Sequence, residues 1–181
     1  MNPDSSFRQR FNAQKCCVLV PTYNNDATLK KLLLELESFT ANIIVVNDGS
    51  TDTTAEILSE FDHFEIISLP QNAGKGNALK KGFKRAEEMG YRYAISIDSD
   101  GQHFPDDLPV FLQAVEDKKP QDPESLVIGS RKMNDPGIPE KSSLGNKLSS
   151  FWFWVETGVK LQDTQCGYRL YPIKAVNSLH L

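Results

Sequence analysis

Strand-like and helix-like patterns alternate along this chain. Short apolar runs predict strands at residues 16–20, 43–46, 64–69, 93–97 and 126–129. Apolar residues at helical spacing predict helices at residues 26–38, 54–60, 77–89 and 106–119. Because the strand patterns are almost continuously apolar and alternate with helices, they predict an α/β fold in which helices cover both faces of a mainly parallel sheet.

Residues typical of helix ends flank the predicted helices. Asn25 or Asp26 can cap the first helix, and Ser50 or Thr51 can cap the second. Gly90 stands where the third helix should end. These signals place the start of each helix close behind the end of a strand.

Polar segments follow the predicted strands. They comprise residues 22–24, 48–50, 72–76, 98–103 and 130–131. The carboxyl ends of parallel strands meet at one edge of a sheet, and α/β proteins bind their ligands there. We therefore expect a binding site at this edge.

Two carboxylates, Asp98 and Asp100, follow the fourth predicted strand. Residues i and i+2 of an extended chain project in the same direction, and Gln102 can join them if the chain turns after Gly101. Oxygen ligands of this kind suit Mg²⁺ or Mn²⁺, which commonly complete their coordination with water and phosphate.

An Asp-x-Asp pair does not by itself establish a magnesium or manganese site. Many such pairs form turns in which an Asp side chain accepts a backbone hydrogen bond. A calcium-binding EF-hand loop is excluded, because His103 and Pro109 stand where its Gly and Glu belong. A phosphatase with an aspartyl nucleophile stays open on these residues alone. His103 itself can contact a metal or a phosphate, or support the site through a hydrogen bond.

Size and charge exclude some classes of protein. The chain has 181 residues, which is enough for one domain with a substantial core. Its net charge is −4 and it has no polybasic block, so no nucleic-acid partner is expected.

The cysteines and the termini give further expectations. Cys16, Cys17 and Cys166 have neither disulfide nor metal-site spacing, which indicates reduced thiols and a cytoplasmic location. Residues 1–14 are polar and are predicted to form a flexible segment, leaving residues 15–181 as the domain. The sequence contains no apolar run close to the roughly 20 residues that a bilayer span needs.

Six motifs occur in an order that resembles family 2 glycosyltransferases of the GT-A fold. They are Val-Pro-Thr-Tyr-Asn, Val-Asn-Asp-Gly-Ser-x-Asp, Asn-x-Gly-Lys-Gly, Asp-Ser-Asp-Gly-Gln-His, Gly-Ser-Arg and Asp-Thr-Gln-Cys-Gly-Tyr-Arg-Leu-Tyr. The resemblance extends from Cys16 to Tyr171 and is strongest to dolichol- or polyprenyl-phosphate sugar transferases. An ordered set is far more specific than any single motif.

The resemblance implies a nucleotide-sugar donor, a GDP- or UDP-hexose, over the first half of the sheet. Pro21, Tyr23 and Asn24 would shape the base pocket, and Asp48 would accept hydrogen bonds from the base. Alternatively, Tyr23 packs against the protein and Asp48 forms a turn. Asn25 stands where the family often has Glu, which removes a charge from this pocket.

The resemblance also implies a site for the metal and the diphosphate. Lys75, between two glycines near a helix start, would bind the diphosphate, and the spacing is not that of a Walker loop. Asp98, Asp100 and Gln102 would hold Mg²⁺ or Mn²⁺, with Asp98 also contacting the donor and Asp100 essential for catalysis. The phosphatase alternative is weaker here, because its motif normally opens the first strand.

The acceptor side resembles the lipid-phosphate branch of the family. A phosphate acceptor is already anionic, so it needs cations to position it rather than a general base. Arg131 and Arg169 are the candidate clamp, and Asp163 is placed with them among the catalytic residues. Lys141 and Ser142 are further candidates. The alternative for Arg169 is a structural ion pair with Asp163 or with another buried acidic residue.

These expectations combine into a metal-dependent, inverting hexosyltransferase with a polyprenyl phosphate acceptor. Residues 151–155, Phe-Trp-Phe-Trp-Val, belong to the core or contact a membrane interface, which would place the protein peripherally at the cytoplasmic face. A helix is predicted from Ile173, and an end soon after it is short for the family, so a truncated carboxyl terminus is expected. The alternatives are a hydroxyl acceptor, a nucleotidyltransferase, or an inactive nucleotide-sugar-binding module.

Overall fold

A computed structural model of the chain describes residues 5–117, 125–129 and 166–179. The strands are β1 (Cys16–Thr22), β2 (Ile43–Asn47), β3 (Glu65–Ser68), β4 (Tyr93–Ser96), β5 (Val127–Ile128) and β6 (Arg169–Pro172). The helices are α1 (Ser5–Ala13), α2 (Asp26–Glu37), α3 (Thr54–Ser59), α4 (Lys75–Glu88), α5 (Leu108–Glu116) and α6 (Ile173–Ser178). A short 3₁₀ turn, Pro105–Asp107, precedes α5.

The strands form one mixed sheet in the order β3-β2-β1-β4-β6-β5. The pairs β1–β2, β1–β4 and β2–β3 are parallel, whereas β6 runs antiparallel to both β4 and β5. The predicted mainly parallel sheet is thereby confirmed. The antiparallel β6 was not predicted, because its sequence, Arg-Leu-Tyr-Pro, contains no continuous apolar run.

Both faces of the sheet are covered by helices, as predicted. Because successive strand residues point to opposite faces, β1 supplies both halves of the core. Cys16, Val18 and Val20 pack with residues of α1, α2, α3 and α5. Cys17 and Leu19 pack on the other face with residues of α4 and α6.

Helix α4 lies unusually close to the sheet at Gly82. A β-carbon at this position would collide with the side chain of Leu19, which is fully buried in β1. Glycine therefore sets the distance between helix and strand here, although it is a poor helix former. This contact holds α4 against β1 about two turns after the first residue of the helix, Lys75.

The prediction that residues 1–14 form a flexible segment is wrong for residues 5–13. They form helix α1, and Phe11 is fully buried in the core beneath it. The Arg10 guanidinium donates two hydrogen bonds of 2.8 Å to the Glu116 carboxylate on α5. The signal was the pair Phe7 and Phe11 at i, i+4 spacing, which the polar composition around it hid.

The capping predictions for two helices also need correction. At α2, the backbone oxygen of Asn25 accepts the N–H of Leu29 at 3.0 Å, while the side chain of Asn25 makes no capping hydrogen bond. At α3, Asp52 rather than Ser50 or Thr51 accepts the N–H of Thr54. Asp and Asn side chains have several backbone partners within reach, so the sequence alone does not select one.

The remaining helices and strands agree with the sequence-based predictions in type but differ from them in length. The 3₁₀ turn and α5 replace a single predicted helix over 106–119, of which residues 118 and 119 lie outside the described parts. Helix α6 begins at Ile173 as predicted. The three cysteines are buried and free of disulfides. Within the described ranges, no helix is both long and apolar enough to cross a membrane.

Candidate active site

A cleft of about 360 Å³ opens where β1, β2 and β4 end. It lies at the predicted edge of the sheet, because these three parallel strands all deliver their carboxyl ends to it. Its walls are formed by Pro21, Thr22, Tyr23, Asn25, Asp48, Asn72, Lys75, Ala78, Asp98, Ser99 and Asp100.

Most of the predicted donor and metal residues meet in this cleft. Those that line it are Pro21, Tyr23, Asp48, Lys75, Asp98 and Asp100. Asn24, Gln102 and Arg169 are not part of its walls. Arg131, Lys141, Ser142 and Asp163 lie outside the described residues, as does the segment 151–155.

Asp48 organises the loop that leads into α4. It is buried, and its two carboxylate oxygens accept the backbone N–H groups of Ala73 at 3.0 Å and Gly74 at 2.8 Å. The neighbouring Gly49 has a φ of +70°, and a β-carbon there would collide with the backbone of Gln71. Asp48 thus performs the turn-forming role that was the alternative to base binding, while one side of it lines the cleft.

Asn24 braces two loops instead of facing the cleft. Its backbone N–H donates to the Ser50 hydroxyl at 3.0 Å, and its side-chain oxygen accepts the N–H of Thr51 at 2.8 Å. Its φ of 51° lies in the left-handed region, which Asn tolerates better than most residues. Asn24 therefore supports the loops that border the cleft, and its contact with the base stays a prediction.

A second brace joins the same loops through Asp52. Its carboxylate accepts the N–H groups of Thr54 at 3.0 Å and Asp26 at 3.2 Å. Partial burial alone would raise the pKa of Asp52, but hydrogen bonds from Thr54 and Asp26 outweigh it and lower the pKa. Asp52 is therefore held in its charged form.

Ser99, between the two aspartates, is the centre of a buried hydrogen-bond network. Its hydroxyl donates to Thr22 Oγ1 at 3.0 Å and accepts from Asn25 Nδ2 at 2.8 Å. The hydroxyl of Thr28 donates to its backbone oxygen. This network ties the turn bearing Asp98 and Asp100 to the loop after β1. The sequence-based prediction did not name Thr22 and Ser99 as site residues, although their polar side chains next to strand ends were a visible signal.

Asp98 is paired with Lys75 across the cleft. The ammonium nitrogen lies 2.6 Å from Oδ1 and donates a hydrogen bond of 2.7 Å to Oδ2. Oδ1 is shielded from solvent and receives no aligned hydrogen bond from any described residue. Both side chains were predicted to act on the same ligand, and they form an ion pair with each other in the cleft.

Asp100 stands at the open side of the same turn. Its Oδ1 accepts the backbone N–H of Gln102 at 2.9 Å, which is the turn geometry considered as the alternative for this motif. Its side chain is exposed and lines the cleft, whereas Gln102 is exposed outside it. One carboxylate oxygen of Asp100 is left for another ligand.

The residues of the cleft fit a divalent cation. Its walls carry three carboxylates, Asp48, Asp98 and Asp100, against one lysine, so the formal charge is −2. An anionic phosphate ligand would be repelled unless a cation accompanied it. Among the described residues, no three His, Cys, Asp or Glu side chains form a complete metal cluster. An ion bridging Asp98 and Asp100 would therefore take its other oxygens from phosphate and water.

His103 and Tyr168 close the site on the side of β6. His103 is buried, with Nε2 4.0 Å from Asp98 Oδ2, and its ring lies 5.4 Å from that of Tyr168. Burial, and then the charges of Asp107 and Asp106, raise the pKa of Tyr168. The phenol of Tyr168 is therefore neutral.

Gly167 and Arg169 flank Tyr168 on the same side of the site, although neither lines the cleft. A β-carbon on Gly167 would collide with Asp98, so the backbone passes directly against that carboxylate. Arg169 pairs with Ser96 in the sheet, and its Nε donates to the Cys166 oxygen at 2.7 Å. One of its guanidinium donors is thus used locally, which bends the segment 166–169 around the end of β4.

Comparison with known protein families gives one match over most of the chain. Residues 17–178 match the family described as "Glycosyl transferase family 2". The UDP-N-acetylglucosamine–dolichyl-phosphate N-acetylglucosaminyltransferase of Methanococcus voltae is 30% identical over 182 residues, which cover 90% of this chain and 71% of the relative. The polyprenol monophosphomannose synthase of Mycolicibacterium smegmatis is 28% identical over 93% of this chain and 65% of its own length.

A solved structure confirms the predicted GT-A architecture. Glucosyl-3-phosphoglycerate synthase from Mycobacterium tuberculosis, crystallised with Mn²⁺, UDP-glucose and phosphoglyceric acid, superposes with a TM-score of 0.68. The identity is 21%, and the match covers 94% of this chain and 61% of that structure. The chain therefore spans roughly two thirds of the length of these relatives.

Proposed function

Because this chain belongs to glycosyl transferase family 2, we propose that it transfers a hexose from a nucleoside diphosphate sugar to a polyprenyl phosphate. The observation that carries the proposed binding of the sugar donor is the cleft at the strand ends, where Asp98, Asp100 and Lys75 converge. The proposed acceptor is supported by the relatives from Methanococcus voltae and Mycolicibacterium smegmatis, whose names specify dolichyl phosphate and polyprenol monophosphomannose.

The donor would lie along the cleft with its base towards β1 and β2. Tyr23 is 42% exposed at the rim, so its ring offers a stacking surface to a base. Pro21 and Asn25 line the wall beside it. Asp48 fixes the loop 71–74, and this loop sets where the first turn of α4 meets the diphosphate.

Asp98 and Asp100 would hold Mg²⁺ or Mn²⁺ beside the diphosphate, with Gln102 as a third oxygen ligand if its side chain turns inward. The bound ion would neutralise the negative charge that develops on the departing diphosphate. Lys75 would add a single positive charge to the same phosphates. Ser99 would keep both carboxylates aimed at the cleft through its bonds to Thr22 and Asn25.

The carboxylates of the cleft favour a phosphate acceptor over a hydroxyl. Asp48 is bonded to the backbone, and Asp98 and Asp100 are assigned to the metal, so no carboxylate among the described lining residues is left as a general base. A phosphate oxygen attacks without losing a proton, whereas a hydroxyl needs a base. Direct attack by this oxygen on the anomeric carbon gives inversion of configuration.

The acceptor phosphate would be held by Arg131 and Arg169, with Asp163 next to them in the sequence motif. Arg169 is the described member of this set; it is the first residue of β6 and pairs with Ser96 of β4. A polyprenyl chain is insoluble in water, so the proposed reaction takes place at a membrane surface, and we place the protein peripherally at its cytoplasmic face.

A calorimetric screen tests the proposed binding of the sugar donor. UDP and GDP are titrated into the protein with and without Mn²⁺, and one of them is expected to bind at least about tenfold more tightly when the metal is present. Metal-independent binding, or no binding of either nucleotide, would contradict the proposal.

The variant Arg131→Ala tests the proposed acceptor. It is expected to reduce sugar transfer to polyprenyl phosphate by about tenfold to a hundredfold, because one charge-assisted phosphate contact contributes roughly 1.5 to 3 kcal/mol and also orients the attack. Donor affinity should stay within about twofold of the parent protein. Unchanged transfer would remove Arg131 from the acceptor site.

A further inference from the structure

The Lys75 ammonium is bound to the carboxylate that would hold the metal ion. It contacts both oxygens of Asp98, at 2.6 Å and 2.7 Å, so this carboxylate already has a cation across its open face. A divalent ion bound to Asp98 would lie within a few ångströms of the same ammonium. Two like charges at that distance repel strongly in a partly buried site.

The groups around Asp98 restrict the rotation of its carboxylate, so it cannot turn away from Lys75 to bind a metal ion. Its side chain is 20% exposed, and the backbone at Gly167 lies against it, close enough that a β-carbon would collide. The ring of His103 closes another side, 4.0 Å from Oδ2. The carboxylate therefore has little room to turn towards a second cation while Lys75 remains in place.

Lys75, by contrast, is free to move. Its side chain is 49% exposed, and it is the first residue of α4, directly after Gly74 with its φ of +90°. Four methylene groups let the ammonium swing from Asp98 towards the first turn of the helix, where unpaired N–H groups favour an anion. A diphosphate bound there would give Lys75 an alternative partner.

We infer that Lys75 acts as an internal cation that leaves Asp98 when a nucleoside diphosphate binds, so that the metal and the diphosphate bind cooperatively. This inference rests on the proposed donor site. Without nucleotide, the metal has to displace the ammonium from Asp98. With nucleotide, the phosphates draw Lys75 away and the carboxylate becomes available to the metal.

Opposite changes in two affinities test this exchange. Mn²⁺ is titrated into nucleotide-free protein and followed by electron paramagnetic resonance. The variant Lys75→Met is expected to bind Mn²⁺ about threefold to tenfold more tightly than the parent protein, because a competing ion pair has been removed. In the Mn²⁺-saturated protein, the same variant should bind UDP or GDP more weakly, because the phosphates lose a cation.

Two matched controls accompany the variant. Lys84→Met removes the same charge from an exposed position on α4, about two and a half turns further along, and should leave Mn²⁺ affinity unchanged. Lys75→Arg keeps the positive charge and should retain the weak metal binding of the parent. If the effect of Lys75→Met came from long-range charge alone, Lys84→Met would change the Mn²⁺ affinity as well.

Equal or weaker Mn²⁺ binding by Lys75→Met, including no detectable binding by either protein, would overturn the inference. A residue with a merely structural role would weaken both affinities together. Neither titration uses an acceptor or measures transfer. Failure of the proposed sugar transfer would therefore appear separately, in an assay with polyprenyl phosphate, from failure of the exchange.

Discussion

Asp48 illustrates how one buried carboxylate shapes a site through the backbone. Replacing it with alanine leaves the N–H groups of Ala73 and Gly74 without their acceptors. We expect Asp48→Ala to lower the free energy of unfolding by about 1 to 3 kcal/mol. It should also weaken nucleotide binding, because the loop before α4 becomes mobile. Urea unfolding and calorimetry measure the two effects.

Asp48→Asn is the matched control for this prediction. The amide keeps one acceptor oxygen, so this variant should lie between the parent protein and Asp48→Ala in both measurements. If Asp48→Ala lost nucleotide affinity with no loss of stability, Asp48 would contact the base directly, as its sequence motif predicts.

Asp100 carries the clearest test of the metal assignment. Asp100→Asn keeps the shape of the side chain and removes one charge, so Mn²⁺-dependent nucleotide binding should fall by more than about tenfold and transfer should nearly vanish. Asp62→Asn changes a carboxylate that is 94% exposed away from the cleft and should have no effect. Calorimetry with and without Mn²⁺ measures the binding; parent-like binding and turnover in Asp100→Asn would refute the assignment.

At the scale of single residues, the sequence predicted which side chains meet more successfully than it predicted their roles. Tyr23, Lys75, Asp98 and Asp100 were expected at one edge and line one cleft. The partners of Asn24 could not be deduced, because an Asn side chain after a strand reaches backbone on either neighbouring loop. That choice depends on how two loops, distant in the chain, approach each other in three dimensions.

Helix α1 shows how a polar element can still belong to the core. Phe11→Ala should cost about 3 to 5 kcal/mol of unfolding free energy, because the fully buried ring leaves a cavity between α1 and the sheet. Phe104→Ala removes a ring that is 65% exposed and should cost much less. Chemical unfolding compares them, and equal stability of Phe11→Ala and the parent protein would mean that α1 is not docked in solution.

The contact of α4 with β1 can be tested with two glycines of the same helix. Gly82→Ala should destabilise the protein by about 1 to 3 kcal/mol, because the new methyl group meets the buried Leu19 side chain. Gly76→Ala meets no atom within 4 Å and should gain up to about 1 kcal/mol from helix propensity. Thermal and urea unfolding measure both, and a stabilising Gly82→Ala would show that the helix lies further from the sheet.

Elements with strong periodicity were predictable, and short ones at the sheet edge were not. Helix α2 was expected at 26–38 and spans Asp26–Glu37, because its leucines mark one face continuously. Strand β6 has four residues, and its antiparallel direction follows from pairing with β4 rather than from its own sequence. Such pairing is decided by the whole sheet and leaves little trace in a short segment.

The whole molecule brings distant motifs together at one edge of the sheet. Asp98 follows β4, Lys75 opens α4, and Gly167 precedes β6, yet all three are in contact. The parallel strands were foreseeable from the alternation of strands and helices, and so was the position of the cleft. The contact of Gly167 was not, because the antiparallel β6 that brings it there was not predicted.

The central claim is that this cleft serves metal-dependent sugar transfer to a lipid phosphate, and one assay tests it most directly. Radiolabelled UDP- and GDP-hexoses are incubated with the protein in detergent, with Mn²⁺ or with a chelator, and with either polyprenyl phosphate or the dephosphorylated polyprenol. We predict labelled product only with the phosphate and only with the metal. Labelling of the alcohol while the phosphate stays unlabelled, or full activity in the chelator, would contradict the account.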